Sequence, residues 1–201
     1  MNYPSTLIEE AVNELSKFPG IGKKSALRMV LFLLKQDENM VVKMGESIIK
    51  LRKEIQFCTQ CNNVSDANIC NICANPKRDP QTICVVEDLR DVMAIENTAQ
   101  FYGTYHVLGG LINPIQGIGP DQLHIENLLT RIKNQEVKEI IMALSATMEG
   151  DTTGFYLARK LKELPVKIST ISRGIAIGGE LEYADEITLG RSIIGRIPYQ
   201  S

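Results

Sequence analysis

Cys58, Cys61, Cys70 and Cys73 form two C-x-x-C pairs with eight residues between them. Each pair folds as a tight knuckle that aims two thiolates at one point. Two knuckles complete the tetrahedral sulfur shell that Zn²⁺ prefers, with bonds of about 2.3 Å. The intervening NNVSDANI is long enough to fold back and carries turn-forming Asn, Ser and Asp. Four thiolates leave no open position for a catalytic water, so the expectation is a structural zinc, about one per chain. The rival readings are two disulfides, a redox pair and an iron–sulfur cluster. Disulfides belong to oxidising compartments, and the opening MNYPSTLIEEAVNEL has acids where a signal peptide carries a basic region. A redox site has no need of a doubled motif. The fifth cysteine, Cys84, sits in the apolar run Thr82-Ile83-Cys84-Val85-Val86 and reads as a core thiol.

The second stretch with chemistry in it is Phe18-Pro19-Gly20-Ile21-Gly22-Lys23-Lys24-Ser25-Ala26. Two glycines one residue apart, followed by a helix start, leave bare backbone N–H groups pointing outward. Such a helix N-terminus binds a phosphate oxygen, and Lys23, Lys24 and Arg28 stand close by for further phosphates. Neither common nucleotide loop fits. A P-loop needs Gly four residues before Gly-Lys-Ser/Thr, but position 17 is Lys and a second Lys intervenes before Ser25. The dinucleotide fingerprint needs glycine where Ser25 stands, and no strand precedes it. The pattern matches the hairpin of a helix-hairpin-helix motif, a binder of DNA backbone without sequence preference. Gly20, Gly22, Lys23, Lys24 and Arg28 are its candidate contacts, and Ile21 is the apolar residue buried between the glycines.

The third group is acidic. Glu87 follows one apolar run, and Glu149 and Asp151 follow another at i, i+2. If these runs are strands of one parallel sheet, the three carboxylates lie at carboxyl ends and can converge on a hard cation such as Mg²⁺. Acids at such junctions also serve as helix caps, and Asp151 is open to that reading. His106 and His124, the only histidines, have no nucleophile or second ligand at recognisable spacing.

The elements that must position these residues are legible in part. Leu7, Ile8, Val12 and Leu15 fall at helical spacing behind Ser5 or Thr6 as cap; Leu27, Val30, Leu31 and Leu34 form a second series. Asp37 caps a third, with Met40, Val41, Met44, Ile48, Leu51 and Ile55 on one face. The three are expected to make a small all-α unit, with Met and Leu in its core. After Asn75–Pro80 the pattern alternates: strands at 82–86, 101–108, 137–144 and 166–172, with helices at 88–97, from Pro120 through Asn134, and from SATMEGD to about Glu163. That alternation predicts a parallel sheet covered on both faces. Leu181-Glu182-Tyr183-Ala184-Asp185 imitates a Walker B strand, a reading that fails without a P-loop.

Net charge is −2, so bulk electrostatics do not announce a nucleic-acid binder. Residues 1–53 nevertheless carry nine Lys/Arg against six Asp/Glu, and residues 81–201 eleven against fifteen. A mildly basic unit is thus joined to an acidic one. No apolar run approaches the roughly 18 residues of a membrane span. The expected location is cytoplasmic, away from membranes.

Over essentially its whole length the chain resembles the RecR family of bacterial recombination mediators. The resemblance rests on FPGIGKKSALR, the cysteine set, VVEDLRDV, GGLINPIQGIGPDQL, MEGDTTGFYLARKL and ISRGIAIGGELEYADEITLGRSIIGR. It implies a multi-part α+β chain: a helix-hairpin-helix unit at 1–56, a C4-type zinc finger at 57–74, an α/β Toprim domain with a parallel sheet at 81–177 and a C-terminal oligomerisation tail at 178–201. Toprim enzymes hold Mg²⁺ with a Glu and an Asp-x-Asp pair. The matching positions are Glu87, Glu149 and Asp151, and the Glu at 149 is one methylene longer than the Asp it replaces, a poor match to octahedral Mg²⁺. The likeness therefore implies a DNA-repair mediator and not a catalyst, acting with RecO and RecF to place RecA at gaps. It further implies a ring of identical subunits and an acidic surface that docks partners. A Mg²⁺-dependent Toprim phosphoryl-transfer enzyme, a nuclease or reduced primase, is the alternative.

Overall fold

The computed structural model describes residues 2–175 and 178–198, so Ala176 and Ile177 of the expected Toprim span and residues 199–201 of the expected tail lie outside the described residues. The chain divides into two compact units, 1–55 and 56–201.

In the first unit, helix α1 (Thr6–Leu15) is capped by Ser5, whose hydroxyl accepts from Leu7 N, and α2 (Lys23–Leu33) begins directly at Gly22. Their shared core is Val12, Ala26 and Val30, with Ile8, Leu15, Ile21 and Leu27 packed at its margin. Helix α3 (Glu38–Glu54) starts at Asp37, which accepts from Asn39 N, and buries none of its residues. The expectation that Met and Leu here are core holds for Leu15 and Leu27, which pack at the core's margin, and is corrected for the rest of the series. Met29, Leu31, Leu34, Met40, Met44, Ile48 and Leu51 are all exposed. The periodicity is real, but periodicity identifies an apolar face without saying what covers it.

The second unit begins with the antiparallel pair β1 (Gln56–Phe57) and β2 (Val64–Ser65), followed by the one-turn helix α4 (Asn71–Ala74). Next comes a four-stranded parallel sheet in the order β4-β3-β5-β6, built from β3 (Asp79–Val86), β4 (Gly103–Val107), β5 (Glu139–Met142) and β6 (Lys167–Thr170). Helices α5 (Leu89–Asn97), α6 (Ile125–Asn134) and α7 (Met148–Leu161) are its crossovers. Successive side chains of β3 enter opposite layers. Ile83 and Val85 pack with Leu128, Ile132 and Leu157, and Cys84 and Val86 pack with Val92 and Tyr105. Both faces are thus covered, as a fully parallel sheet requires. After β6, residues 181–183 form a 3₁₀ turn where the Walker B imitation stood, and α8 (Glu186–Ile194) is capped by Asp185. No helix among the described residues is long and apolar enough to cross a membrane.

The helix expected from Pro120 through Asn134 is broken. A 3₁₀ turn occupies Pro120–Gln122, Leu123 is extended, and α6 starts only at Ile125. The cause is tertiary: His124 N donates to the Leu108 carbonyl at 3.0 Å, and the His124 carbonyl bonds His106 Nε2 at 2.8 Å. Two contacts with the end of β4 hold this residue out of the helix.

His106 is wholly buried, and its Nδ1 has no hydrogen-bond partner among the described residues. Burial therefore holds its pKa down at about 4. An unfolded histidine takes its proton near pH ~6.5. Stability is accordingly full above that value. It falls as the pH drops toward about 4, because only the unfolded chain binds the proton, by up to about 3 kcal/mol. Urea midpoints measured across this window are expected to slope downward with acid in the wild type and to flatten in His106→Gln.

Candidate functional site

The four cysteines meet in space. Their sulfur atoms all lie within 4.8 Å of one another, and three of the residues are buried with Cys73 partly so. The Cys61 and Cys70 sulfurs are 3.6 Å apart. A tetrahedron with bonds of about 2.3 Å has edges of about 3.8 Å, so this set fits Zn²⁺. Local backbone builds each knuckle. Asn62 N donates to the Cys58 carbonyl, and Asn62 itself adopts φ 60°, the left-handed conformation that Asn tolerates. Cys70 caps α4, its sulfur accepting from Cys73 N at 3.5 Å, while Cys58 sulfur accepts from Cys70 N at 3.3 Å. Such N–H···S contacts favour thiolate, the form that binds metal. Four crowded thiols cannot all ionise without a cation. Hydrogen bonds to Cys70 and Cys73, together with burial, push the Cys61 thiol up, and its partner Cys70 is pulled down. The centre is fastened to the sheet: Val107 N donates to the Cys61 carbonyl at 2.8 Å, and Ile72 packs against the layer containing Val92 and Tyr105.

The glycine hairpin also takes the geometry its sequence implied. Ile21 N closes the turn on the Phe18 carbonyl at 3.0 Å, and Gly20 has φ +77°, which a side chain would strain. Gly22 offers no side-chain cap to α2, so the first N–H groups of the helix are open to a ligand. Lys23, Lys24 and Arg28 are exposed around that end. None of them joins an ion pair among the described residues. Ile21 is half-buried against the α1–α2 core.

The acidic residues are placed differently. Glu87 stands at the end of β3, partly buried, and its carboxyl is pushed up by burial and by neighbouring Asp91 and Asp88. Those two aspartates are occupied in the capping box of α5. Glu149 and Asp151 lie in the first turn of α7, which Thr147 caps through Gly150 N. Between them only glycine fits, because a Cβ on Gly150 would stand 1.9 Å from the Ser145 carbonyl oxygen. Asp151 is engaged by two cations: Arg173 at 2.7 Å and Arg191 of α8 at 3.6 Å. The hydrogen bond from Arg173 is the main reason its carboxyl titrates below the ordinary range. Among the described residues the four cysteines are the one set of three or more potential metal ligands whose ligand atoms come together, and Glu87, Glu149 and Asp151 do not form another.

Sequence reasoning missed four residues around these sites. Arg173 and Arg191 bind Asp151 from 22 and 40 positions away, distances at which no local pattern points to a partner. Thr153, fully buried, donates to the Glu149 carbonyl and accepts from Ile112 N, tying the glycine-rich loop to α7. Arg131 is buried beside the cysteine centre, and only its rarity as a buried charge could have flagged it once burial was known.

Comparison with known proteins agrees with this geometry. Family models match in chain order: the RecR helix-hairpin-helix over residues 8–51; the RecR zinc finger domain of the four-cysteine type over 55–75; the Toprim domain over 81–172; and the RecR C-terminal segment over 174–197. Among curated proteins, the recombination protein RecR of Amoebophilus asiaticus is 60% identical over 199 residues, covering 99% of this chain and 100% of that one. That of Bacteroides thetaiotaomicron is 59% identical, covering 96% and 95%. That of Flavobacterium johnsoniae is 58% identical, covering 100% and 97%.

Proposed function

The chain belongs to the RecR family of recombination proteins, and we propose that it works in DNA repair as a non-catalytic mediator that holds DNA by its backbone at gaps. In this role it acts in the cytoplasm with RecO and RecF to place RecA on strands covered by single-strand-binding protein. The observation that carries the reading is the open N-terminus of α2 behind Gly20 and Gly22, ringed by the exposed Lys23, Lys24 and Arg28, which join no ion pair among the described residues. Contacts to phosphate carry no base information, so the complex is indifferent to sequence.

The cysteine centre holds one structural Zn²⁺ per chain. Cys58, Cys61, Cys70 and Cys73 are its ligands, and the ion supplies a rigid cross-link beside β4. Identical subunits assemble as a ring, a reading supported by the uncovered apolar residues Phe32, Leu34, Ile48 and Leu51 of the N-terminal unit. Several copies of that weakly basic unit around one opening sum to a potential that a single copy lacks.

Against the alternative, a Mg²⁺-dependent phosphoryl-transfer enzyme, stands the engagement of Asp151 by Arg173 and Arg191. Two guanidinium groups already neutralise the carboxylate that such an enzyme would turn to its metal. Glu87 and Glu149 serve instead as part of an acidic docking surface for a basic partner such as RecO. The test is to incubate the protein with a gapped duplex and Mg²⁺ or Mn²⁺, with strand length as the readout.

A further inference from the structure

Arg131 lies in the last turn of α6 and is only 6% exposed. Each nitrogen of its guanidinium donates one hydrogen bond: Nη1 to the Tyr105 carbonyl at 2.7 Å, Nη2 to Thr104 Oγ1 at 2.8 Å, and Nε to Gln135 Oε1 at 3.1 Å. All three acceptors are neutral. No carboxylate pairs with it among the described residues. A buried cation without a counter-charge is costly, and natural proteins seldom leave one unpaired.

A compensating charge is on offer in the cysteine centre, which belongs to the same compact unit. The strand that receives Arg131, β4, is the strand whose Val107 N holds the Cys61 carbonyl. On the other side, Thr59 and Gln60, the two residues inside the first C-x-x-C, share the walls of a cavity of about 570 Å³ with Arg131 and Gln135. Burial disfavours the Arg131 cation. Four thiolates on one Zn²⁺ carry a net charge of about −2, itself a buried charge in need of compensation. Each group answers the other's deficit.

We propose that Arg131 is the counter-charge of the zinc tetrathiolate, a positioning residue through which metal occupancy is coupled to the packing of α6 on β4. The inference rests on the zinc reading above, and extends it to a residue that touches none of the sulfurs by any hydrogen bond. Loss of an outer-shell partner hydrogen-bonded to a ligand typically costs about 10–100-fold in metal affinity, and a charge that acts without that bond is expected at the lower end of this range.

The test is a zinc competition against a chromophoric chelator using full-length wild type, Arg131→Gln, Arg131→Lys and Thr104→Val, with melting curves in parallel. Arg131→Gln removes the charge and is expected to weaken zinc by about tenfold or more. Arg131→Lys keeps the charge while losing hydrogen bonds, and should hold zinc within about threefold of wild type. Thr104→Val removes one hydrogen bond and no charge; it should lower the melting temperature and leave zinc affinity unchanged. Equal loosening of zinc in all three variants would assign the effect to packing and overturn the proposal, as would unchanged zinc affinity in Arg131→Gln. If Arg131→Gln does not fold, Arg131→Lys decides: near-native affinity supports the counter-charge, and a loss of tenfold or more refutes it. Wild type that takes up no zinc would refute the zinc reading itself, an outcome visible before any variant is compared.

Discussion

Replacing Cys58, Cys61, Cys70 or Cys73 by serine is expected to weaken zinc binding so that less than one ion per chain is retained, and to lower the melting temperature by about 10–20 °C. The magnitude follows from the coupling of metal to folding. A structural zinc site supplies about 10–16 kcal/mol in isolated zinc-finger peptides. Retaining three sulfurs preserves part of this, so a loss of about 5 kcal/mol is a moderate figure, and each kcal/mol is worth about 2–4 °C in a chain of this size. The residues around the centre explain why the damage spreads. The two strands β1 and β2 are two residues each and cannot stand alone. Releasing Cys61 also frees the Val107 N–H it accepts from, and loosening α4 withdraws Ile72 from the sheet core. Cys84→Ser is the control. Cys84 is buried in β3 and its thiol is pushed up to about 12 by desolvation, so its loss costs packing and spares the metal. Elemental analysis with a melting curve on each variant checks both halves, and a metal-free protein that stays fully folded would remove the cysteine argument.

The second large effect concerns DNA. Lys23→Glu combined with Lys24→Glu is expected to weaken binding to DNA by about a hundredfold at low salt, roughly 2.8 kcal/mol. Both side chains are exposed and neither joins an ion pair among the described residues, so the fold should be unaffected. The salt dependence adds a sharper number. Each phosphate neutralised by a protein cation contributes about −0.9 to the slope of log affinity against log salt on duplex DNA. Removing two contacts should flatten that slope by about 1.8 per hairpin engaged. Wild type should show a steep slope and the same affinity for unrelated sequences, because the hairpin offers nothing that reads base edges. Anisotropy titrations at several salt concentrations measure both quantities. If the double variant binds as wild type does, the glycine hairpin is an ordinary helix connection.

Much of the molecule can be read from the chain itself, where the relevant physics is local. The cysteine spacing encodes a metal geometry within 16 residues, and the Gly-Ile-Gly turn encodes an open helix end within three. Both survive into the structure because neither depends on a distant partner. The parallel sheet is legible too, since β3 and β5 are short apolar runs between turn signals, buried on both faces. What fails to show is whatever depends on contacts far along the sequence. His124 leaves a helical pattern because Leu108 and His106 hold its backbone. Asp151 looks like a metal ligand or a helix cap, and it is an ion-pair partner of Arg173 and Arg191. The apolar periodicity of α3 correctly marks a face, yet within the chain that face is exposed. Arg131 is invisible for the same reason, being one arginine among many until burial sets it apart.

The chain is expected to hold gapped DNA without altering it. A single gel with purified protein and an end-labelled gapped duplex tests this most directly, run with and without Mg²⁺ or Mn²⁺ and read for both mobility and strand length. The account predicts a stable shifted complex with every strand at its original length, in either metal and equally in Glu87→Gln. Metal-dependent shortening or extension of a strand, lost in Glu87→Gln, would contradict it and make the acidic residues at the end of β3 and in the first turn of α7 a catalytic centre.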